Sequence, residues 1–479
     1  MMKRSPFAAA ASTVRSRSTS AGWTRPGSLP SLAKVAAAAA LSSYSAICCD
    51  GLPRHEVGVQ EAMRVGEKAA AAATFAKLGK LPGLVQPAEV DRLRTVLAAA
   101  ANGERFIIQG GDCAERFIDC EPDRLDAQLK LLLQMGAIVA QSTGLPSVNI
   151  ARIAGQYGKP RSKPTEMHPE MGEIMSFKGD NINGYDVSER KWDCKRLLEG
   201  YYHSSATLNY LRGLCTAGDL SSMTQLKVDA LGNADFTKVA QAISAQKPSA
   251  DFAEFFTSHE GMQLDLEEAL TRPVGDKFYN LSTHMLWIGD RTRQLDGGHV
   301  EYFRGIANPV GCKVGPSMKN DELKELVQIL NPNKVEGKLV LITRYGAAKV
   351  EGMLPGHIEA VQASGVPVVW QCDGVHGNTV TAKGSGLKTR ALADVLSECS
   401  QAVAIHKRCG SILGGVHLEL TGQETVTECV GGAIGEDMLP NNYETYCDPR
   451  LNYMQAIEAA FKISSAVQAN PPTKKARAS

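Results

Sequence analysis

Residues 106–117 read "FIIQGGDCAERF". Three apolar residues, Phe106-Ile107-Ile108, stop at two glycines, and a cysteine follows between two acids, Asp112 and Glu115. A short apolar run without polar alternation marks a strand buried on both faces, as in parallel sheets. The same signature recurs along the chain in "SVNIARIAG", "AEFFTSHE", "HMLWIGD", "GCKVGP", "LVLITRYG", "PVVWQCDG" and "GVHLELTG". With "RFIIQGG" these make eight runs, each followed by glycine or polar residues. Helix-like segments such as "DRLDAQLKLLLQMGAIVAQ" and "NDELKELVQIL" lie between them. Eight repeats of strand then helix predict an α/β fold, a (β/α)8 TIM barrel. An open doubly wound sheet is the alternative. No GxGxxG follows any of these runs and no GxxxxGK[ST] occurs, which disfavours the usual nucleotide-binding loops.

The barrel is expected over residues 105–465, with an insertion of about a hundred residues, Gly155 to Asp251, between the second and third runs. Long insertions of this kind are commonly functional. Residues 51–104 read as an N-terminal helical extension. "QPAEVDRLRTVLAAAANGE" opens on Pro-Ala-Glu and closes near Asn-Gly, good start and stop signals. Residues 466–479 read as a frayed tail.

The first fifty residues hold six Lys/Arg and a single acid, Asp50, and are rich in Ser and Ala. That composition predicts a transit leader to a plastid, with mitochondrion or cytoplasm as alternatives. The remaining chain holds 46 Lys/Arg against 50 Asp/Glu, a net charge of −4, which gives no electrostatic case for nucleic acid. No apolar run approaches the ~20 residues that span a bilayer, so no membrane partner is expected. The chain has twelve cysteines, with Cys48 and Cys49 in the leader. The other ten are scattered as mostly reduced thiols would be.

Catalytic groups of a barrel come from the C-terminal ends of its strands. In order, those ends offer Cys113, Arg152, Glu260, Asp290-Arg291, Lys313, Arg344, His376 and Glu419. Four cations around one mouth call for anions, since Arg forks bind carboxylate or phosphate oxygens in pairs and Lys adds a point charge. Phosphorylated, carboxylated small molecules fit. Cys113, His376 and Glu419 are ligand types of a catalytic divalent metal, and Asp448 in "YCDPRLN" is a fourth candidate. Taken singly, the cysteine also suits a small core residue and the histidine a capped loop.

The blocks "FIIQGGDCAERF", "RIAGQYGKPRSKPTE", "FKGDNINGY", "FFTSHE", "HMLWIGDRTRQLDGGHVEYFRGIANPVGCKVGP", "DGVHGNT", "GGVHLELTGQETVTECVGG" and "CDPRLN" run from about residue 80 to 465. Together they resemble the type II, plant-like 3-deoxy-D-arabino-heptulosonate 7-phosphate synthases, the first enzymes of the shikimate pathway. The resemblance implies a transferase that condenses phosphoenolpyruvate with erythrose 4-phosphate and water, releasing phosphate. It implies one divalent metal, manganese first, with cobalt or cadmium as alternatives, and a homo-oligomer. Carried over, Cys113, His376, Glu419 and Asp448 look like the metal ligands. Arg152, Asp290, Arg291, Lys313 and Arg344 look like the phosphoenolpyruvate site, with Arg291, Lys313 and Glu260 as catalytic residues. Lys159, Pro160, Arg161 and Ser162 resemble the erythrose phosphate segment. Glu260, or a water held by the metal, would serve as base for the attacking water. A non-catalytic regulatory relative, or another phosphoenolpyruvate-dependent sugar-acid phosphate synthase, is the alternative.

The chain departs from the family in several places. Asp290 stands where the family usually has Glu, and "DGVHGNT" replaces Asp-Pro-Met-His-Gly-Asn-Thr. "KRCGSILGGVH" lacks Ser-His-Pro before the double glycine, and the tryptophan-containing start is missing upstream of Glu61. Cys447 precedes the proposed ligand Asp448, which leads us to expect that oxidation joins it to Cys113 and empties the metal site.

Overall fold

The computed structural model describes residues 65–472 apart from 160–162, 169, 218–219 and 246–252. The leader, and Pro160, Arg161 and Ser162 of the expected erythrose phosphate segment, lie outside the described residues. Eight parallel strands close into a barrel: β1 (Phe106–Gly111), β2 (Ser147–Arg152), β3 (Phe255–Glu260), β4 (Met285–Ile288), β5 (Val310–Val314), β6 (Leu339–Thr343), β7 (Val369–Cys372) and β8 (Leu413–Glu419). Each matches one of the eight apolar runs. The ring shuts where Ile107 of β1 pairs Gly415 of β8. The expected (β/α)8 barrel is therefore what the chain forms, and the open sheet is not.

Among the described residues two helices precede the barrel, α1 (Val65–Leu78) and α2 (Pro87–Ala101). Proline at the first turn and a capping box from Gln86 to Glu89 start α2, and Gly103 in the left-handed region (φ 73°) follows its end. Then come α3 (Pro122–Thr143) after β1, α4 (Lys195–Ala217) and α5 (Ala234–Ser244) in the insertion after β2, and α6 (Leu264–Ala269) after β3. The circuit ends with α7 (Gly298–Gly305), α8 (Asn320–Leu330), α9 (Val350–Ser364), α10 (Leu392–Arg408) and α11 (Tyr453–Ala469). The last helix runs to Ala469, four residues into the segment expected as tail. Among the described residues no helix is long and apolar enough to cross a membrane.

The lower barrel is apolar. Leu93, Val96, Leu97 and Ala100 of α2 pack on inward residues of the strands, including Ile107, Ile150, Phe256, Ile342 and Val369. An apolar stripe at helical spacing thus plugs the floor. The insertion works at the opposite end. Its hairpin, Thr165–His168 with Gly172–Met175, contributes Thr165, Glu166 and Met167 to the wall of the cavity above the mouth.

Candidate active site

The strand ends deliver their side chains to that cavity, of about 630 Å3, lined by Lys159, Glu260, Asp290, Arg291, Lys313, Arg344, His376, Cys447 and Asp448. β1 stops because Gly111 takes φ +150°, and a Cβ there would lie 2.5 Å from Arg152 O. This close approach brings the Cys113 turn against the end of β2.

The thiol of Cys113 and the carboxylates of Glu419 and Asp448 present ligand atoms that all lie within 4.8 Å of one another. Cys113 and Glu419 are fully buried. The Asp448 backbone N–H donates to Cys113 Sγ at 3.2 Å, which ties together positions 335 residues apart. His376 joins from one side, with Nε2 3.0 Å from Glu419 Oε1, outside the tight trio. Its Nδ1 lies 2.7 Å from Asp373 Oδ2. A carboxylate on the far nitrogen of a ligand imidazole fixes the ring and its tautomer. The four expected ligands therefore converge, three tightly and His376 at the edge.

Lys159 stands among them, with Nζ 3.0 Å from both Glu419 Oε1 and Asp448 Oδ2. The residue expected at the erythrose phosphate end thus also pairs with the carboxylates. Burial pushes the Glu419 carboxyl up, but His376, Lys159, Arg390 and Arg152 outweigh it and hold it well below the usual range. Asp448 is lowered too, Lys159 and Lys388 overcoming its burial and the nearby Glu419. Burial, with Cys447 and Glu419 beside it, drives the Cys113 thiol well up. A metal binding there would displace the thiol proton. Thiolate, carboxylates and imidazole together suit a borderline divalent ion.

The geometry and the sequence agree with a family model, the class-II DAHP synthetase family, which matches residues 54–464. The chain belongs to the class-II DAHP synthetase family. It is 45% identical over 437 residues to a phospho-2-dehydro-3-deoxyheptonate aldolase of Neurospora crassa, covering 83% of this chain and 90% of the relative. It is 42% identical over 418 residues to the Streptomyces coelicolor protein of that name, covering 82% and 91%. The Mycolicibacterium smegmatis protein, phospho-2-dehydro-3-deoxyheptonate aldolase AroG, is 39% identical over 426 residues, covering 82% and 90%.

The cations of this DAHP synthetase-family chain are held in different ways. Arg152 is buried and fixed on all sides. Its Nε donates to Asp112 O at 2.9 Å, Nη2 to Glu419 Oε1 at 3.0 Å, and Nη1 to His417 Nε2 at 2.8 Å. Because the guanidinium only donates, His417 accepts as the neutral ring. Burial together with Lys313 and Arg152 holds its pKa well below the usual value. Lys313 is buried against Asp373, and burial brings its ammonium down to about 8 although Asp373 pulls it up. Arg344 is partly exposed, with Nη1 3.9 Å from Asp290 Oδ2. Asp290 Oδ1 also accepts from Arg293 Nε at 3.1 Å. The Asp290 side chain is thus engaged with two arginines. Arg291 and Glu260 face the cavity. A Cβ on Gly289 would fall 2.2 Å from Glu260 Oε1, so that glycine makes room for the carboxylate.

Sequence reasoning missed Asp373, Arg390 and His417. Asp373 follows β7 within "DGVHGNT", three residues before the histidine that it orients. His417 lies two residues before Glu419 on one strand, so the period of two already put both on the inner face. Arg390, fully buried with Nη2 2.7 Å from Glu419 Oε2, had no local signal.

Proposed function

We propose that this chain condenses phosphoenolpyruvate with erythrose 4-phosphate and water to give 3-deoxy-D-arabino-heptulosonate 7-phosphate and phosphate, the entry to aromatic amino acid synthesis. The observation that carries the reading is one cavity in which Arg291, Lys313 and Arg344 stand beside the Cys113–Glu419–Asp448 cluster. Relatives at 39–45% identity bear the name of that enzyme. One divalent metal, manganese first and cobalt or cadmium as alternatives, would be held by Cys113, Glu419, Asp448 and His376. Its contribution when bound is Lewis acidity toward the aldehyde.

The chain's own residues do the rest. Arg152, Arg291, Lys313 and Arg344 hold the carboxylate and phosphate of phosphoenolpyruvate without reorganising, so the enol carbon faces the aldehyde. Glu260, at the end of β3, takes a proton from the water that adds to the carbon bearing the phosphate. Lys159 neutralises Glu419 and Asp448, and with Arg161 and Ser162 it receives the sugar phosphate. Asp290 keeps Arg344 and Arg293 in place. The basic leader supports import into a plastid.

The deciding assay follows phosphate release from phosphoenolpyruvate with the reduced protein. Release should require both erythrose 4-phosphate and Mn2+ and should stop with a chelator. No turnover with Mn2+ or Co2+ refutes the reading, and arabinose 5-phosphate outcompeting erythrose 4-phosphate moves it to a neighbouring synthase. Cys113 and Cys447 lie together in one small cluster with Phe177. Oxidation joining them would remove a metal ligand. Cys447→Ser should therefore resist inactivation by oxidant, and inactivation at the parent's rate would end that idea.

A further inference from the structure

Two buried carboxylates near the barrel mouth touch neither the cavity nor the metal cluster. Glu115, 6% exposed, lies in the turn after β1, and Glu398, fully buried, lies on α10. Each grips the backbone just behind a clamp arginine. Behind Arg152, the N–H groups of three consecutive residues converge on Glu115: Ala154 donates to Oε2 at 2.8 Å, and Gly155 and Gln156 to Oε1 at 2.9 and 2.6 Å. The Glu115 N–H returns a bond to Gln156 O at 2.8 Å. Ala154 holds φ 61°, a left-handed conformation that a non-glycine residue adopts only under constraint. Successive N–H groups around such a residue form an anion nest, here filled by the protein's own carboxylate. Behind Arg344, Tyr345 and Gly346 donate to Glu398 Oε1 at 2.8 and 2.9 Å.

Each grip also reaches a second strand end. Glu115 is two residues from Cys113. Its nest ends on Gln156, whose Oε1 accepts the Glu260 N–H at 2.9 Å. Glu398 Oε2 accepts from Asn378 Nδ2 at 2.8 Å, and Asn378 Oδ1 accepts the Ala347 N–H at 2.9 Å, in the turn that carries His376. The two turns touch at Gly346 and Gly377, where a Cβ on Gly377 would meet Gly346 N at 2.3 Å.

Resting on the function proposed above, we infer that Glu115 and Glu398 are positioning residues, each registering one arm of the substrate site against one side of the metal cluster. Glu115 governs the segment from Arg152 to Lys159, and so the sugar-phosphate arm. Arg152 itself keeps its independent bonds to Asp112, His417 and Glu419. Glu398 governs Arg344, and so the phosphoenolpyruvate arm. Burial pushes both carboxyls up to about 7, the cost of keeping a carboxylate inside when backbone N–H groups are its main partners.

Glutamine at either position has the same shape, but its NH2 group faces an N–H donor, a backbone N–H at position 115 and the Asn378 side-chain amide at position 398. The test is a crossed pair of variants, Glu115→Gln and Glu398→Gln, in the Mn2+-loaded enzyme. E398Q should raise KM for phosphoenolpyruvate about ten-fold with KM for erythrose 4-phosphate within about two-fold. E115Q should do the reverse. Trp287 lies 5.2 Å from the Arg152 guanidinium and 5.9 Å from Lys313 Nζ, so its fluorescence reports phosphoenolpyruvate binding without turnover. The thiolate charge-transfer band of the Co2+ form should be unchanged in both. Reduced kcat with both KM values unchanged, or one KM pattern common to both variants, would overturn the inference. Should a glutamine variant not fold, Glu115→Asp and Glu398→Asp, which keep the charge but withdraw it, should give the same crossed pattern at smaller size. If the parent enzyme itself shows no turnover, the proposed function fails instead.

Discussion

The two ends of this barrel are built from the same strands by opposite rules. At the floor, Ile107, Ile150, Ile342 and Val369 close on the apolar stripe of α2, and contact is the only interaction. At the mouth, a few residues further along, Arg152, Glu419, Lys313 and Asp373 are equally buried but held by charge and hydrogen bonds. Trp287 is the boundary, belonging to the floor cluster while its ring lies under Arg152 and Lys313. The floor tolerates approximate shape, because dispersion and burial are not directional. The mouth does not, because a buried charge without its partner costs several kcal/mol.

The contrast can be broken hardest at Glu419. His376, Lys159, Arg152 and Arg390 all lie within 3.0 Å of its oxygens. Glu419→Ala should abolish turnover and metal binding and destabilise the fold by about 3–5 kcal/mol, read by chelator-sensitive assay and denaturant titration. Next comes the floor. Leu97→Ala should cost about 2–5 kcal/mol while leaving both KM values as they were, and a shifted KM would show that floor and mouth are coupled.

Lys313 gives a smaller effect, with opposite signs for binding and stability. Its folded pKa of about 8 lies below the ordinary lysine value, so the cation is present below pH 8 and lost above it. KM for phosphoenolpyruvate should therefore rise as pH passes 8, approaching about ten-fold per pH unit at the limit. Stability should move the other way, because the fold favours the neutral amine and gains as pH rises from 8 toward the unfolded value near 10.4. Lys313→Met should flatten both profiles between pH 7 and 9. The smallest effect is expected at Asp290. Its partners are arginines at a partly open site, where ion pairs contribute about 0–1 kcal/mol. Asp290→Glu should thus shift KM for phosphoenolpyruvate by less than about three-fold, and a larger change would place that carboxylate on the substrate.

How much could be read in advance differs between the same two ends. The strands that form the floor were legible because apolar runs are local patterns, and eight of them predicted the closed barrel, whereas the packing of α2 against them came only from the structure. At the mouth, residue type and strand-end position marked Cys113, Arg152, Lys313, His376 and Glu419, but not their partners. That Lys159, read as a sugar-phosphate group, also bridges two carboxylates was not legible. That Asp290, read as part of the phosphoenolpyruvate site, spans Arg293 and Arg344 was not legible either. Glu115 and Glu398 carried no local signal that would set them apart from other acids.

The sequence by itself determined the number and order of the strands, the insertion, and which ionisable side chains end each strand, because those depend on periodicity within a few residues. The tertiary structure decided that Cys113 meets Asp448 across 335 positions, that Arg390 backs Glu419, and that two acids turn inward to fill backbone nests. The physical reason is that a buried charge takes whichever partner the closed barrel brings within 3 Å, and only closure sets those distances.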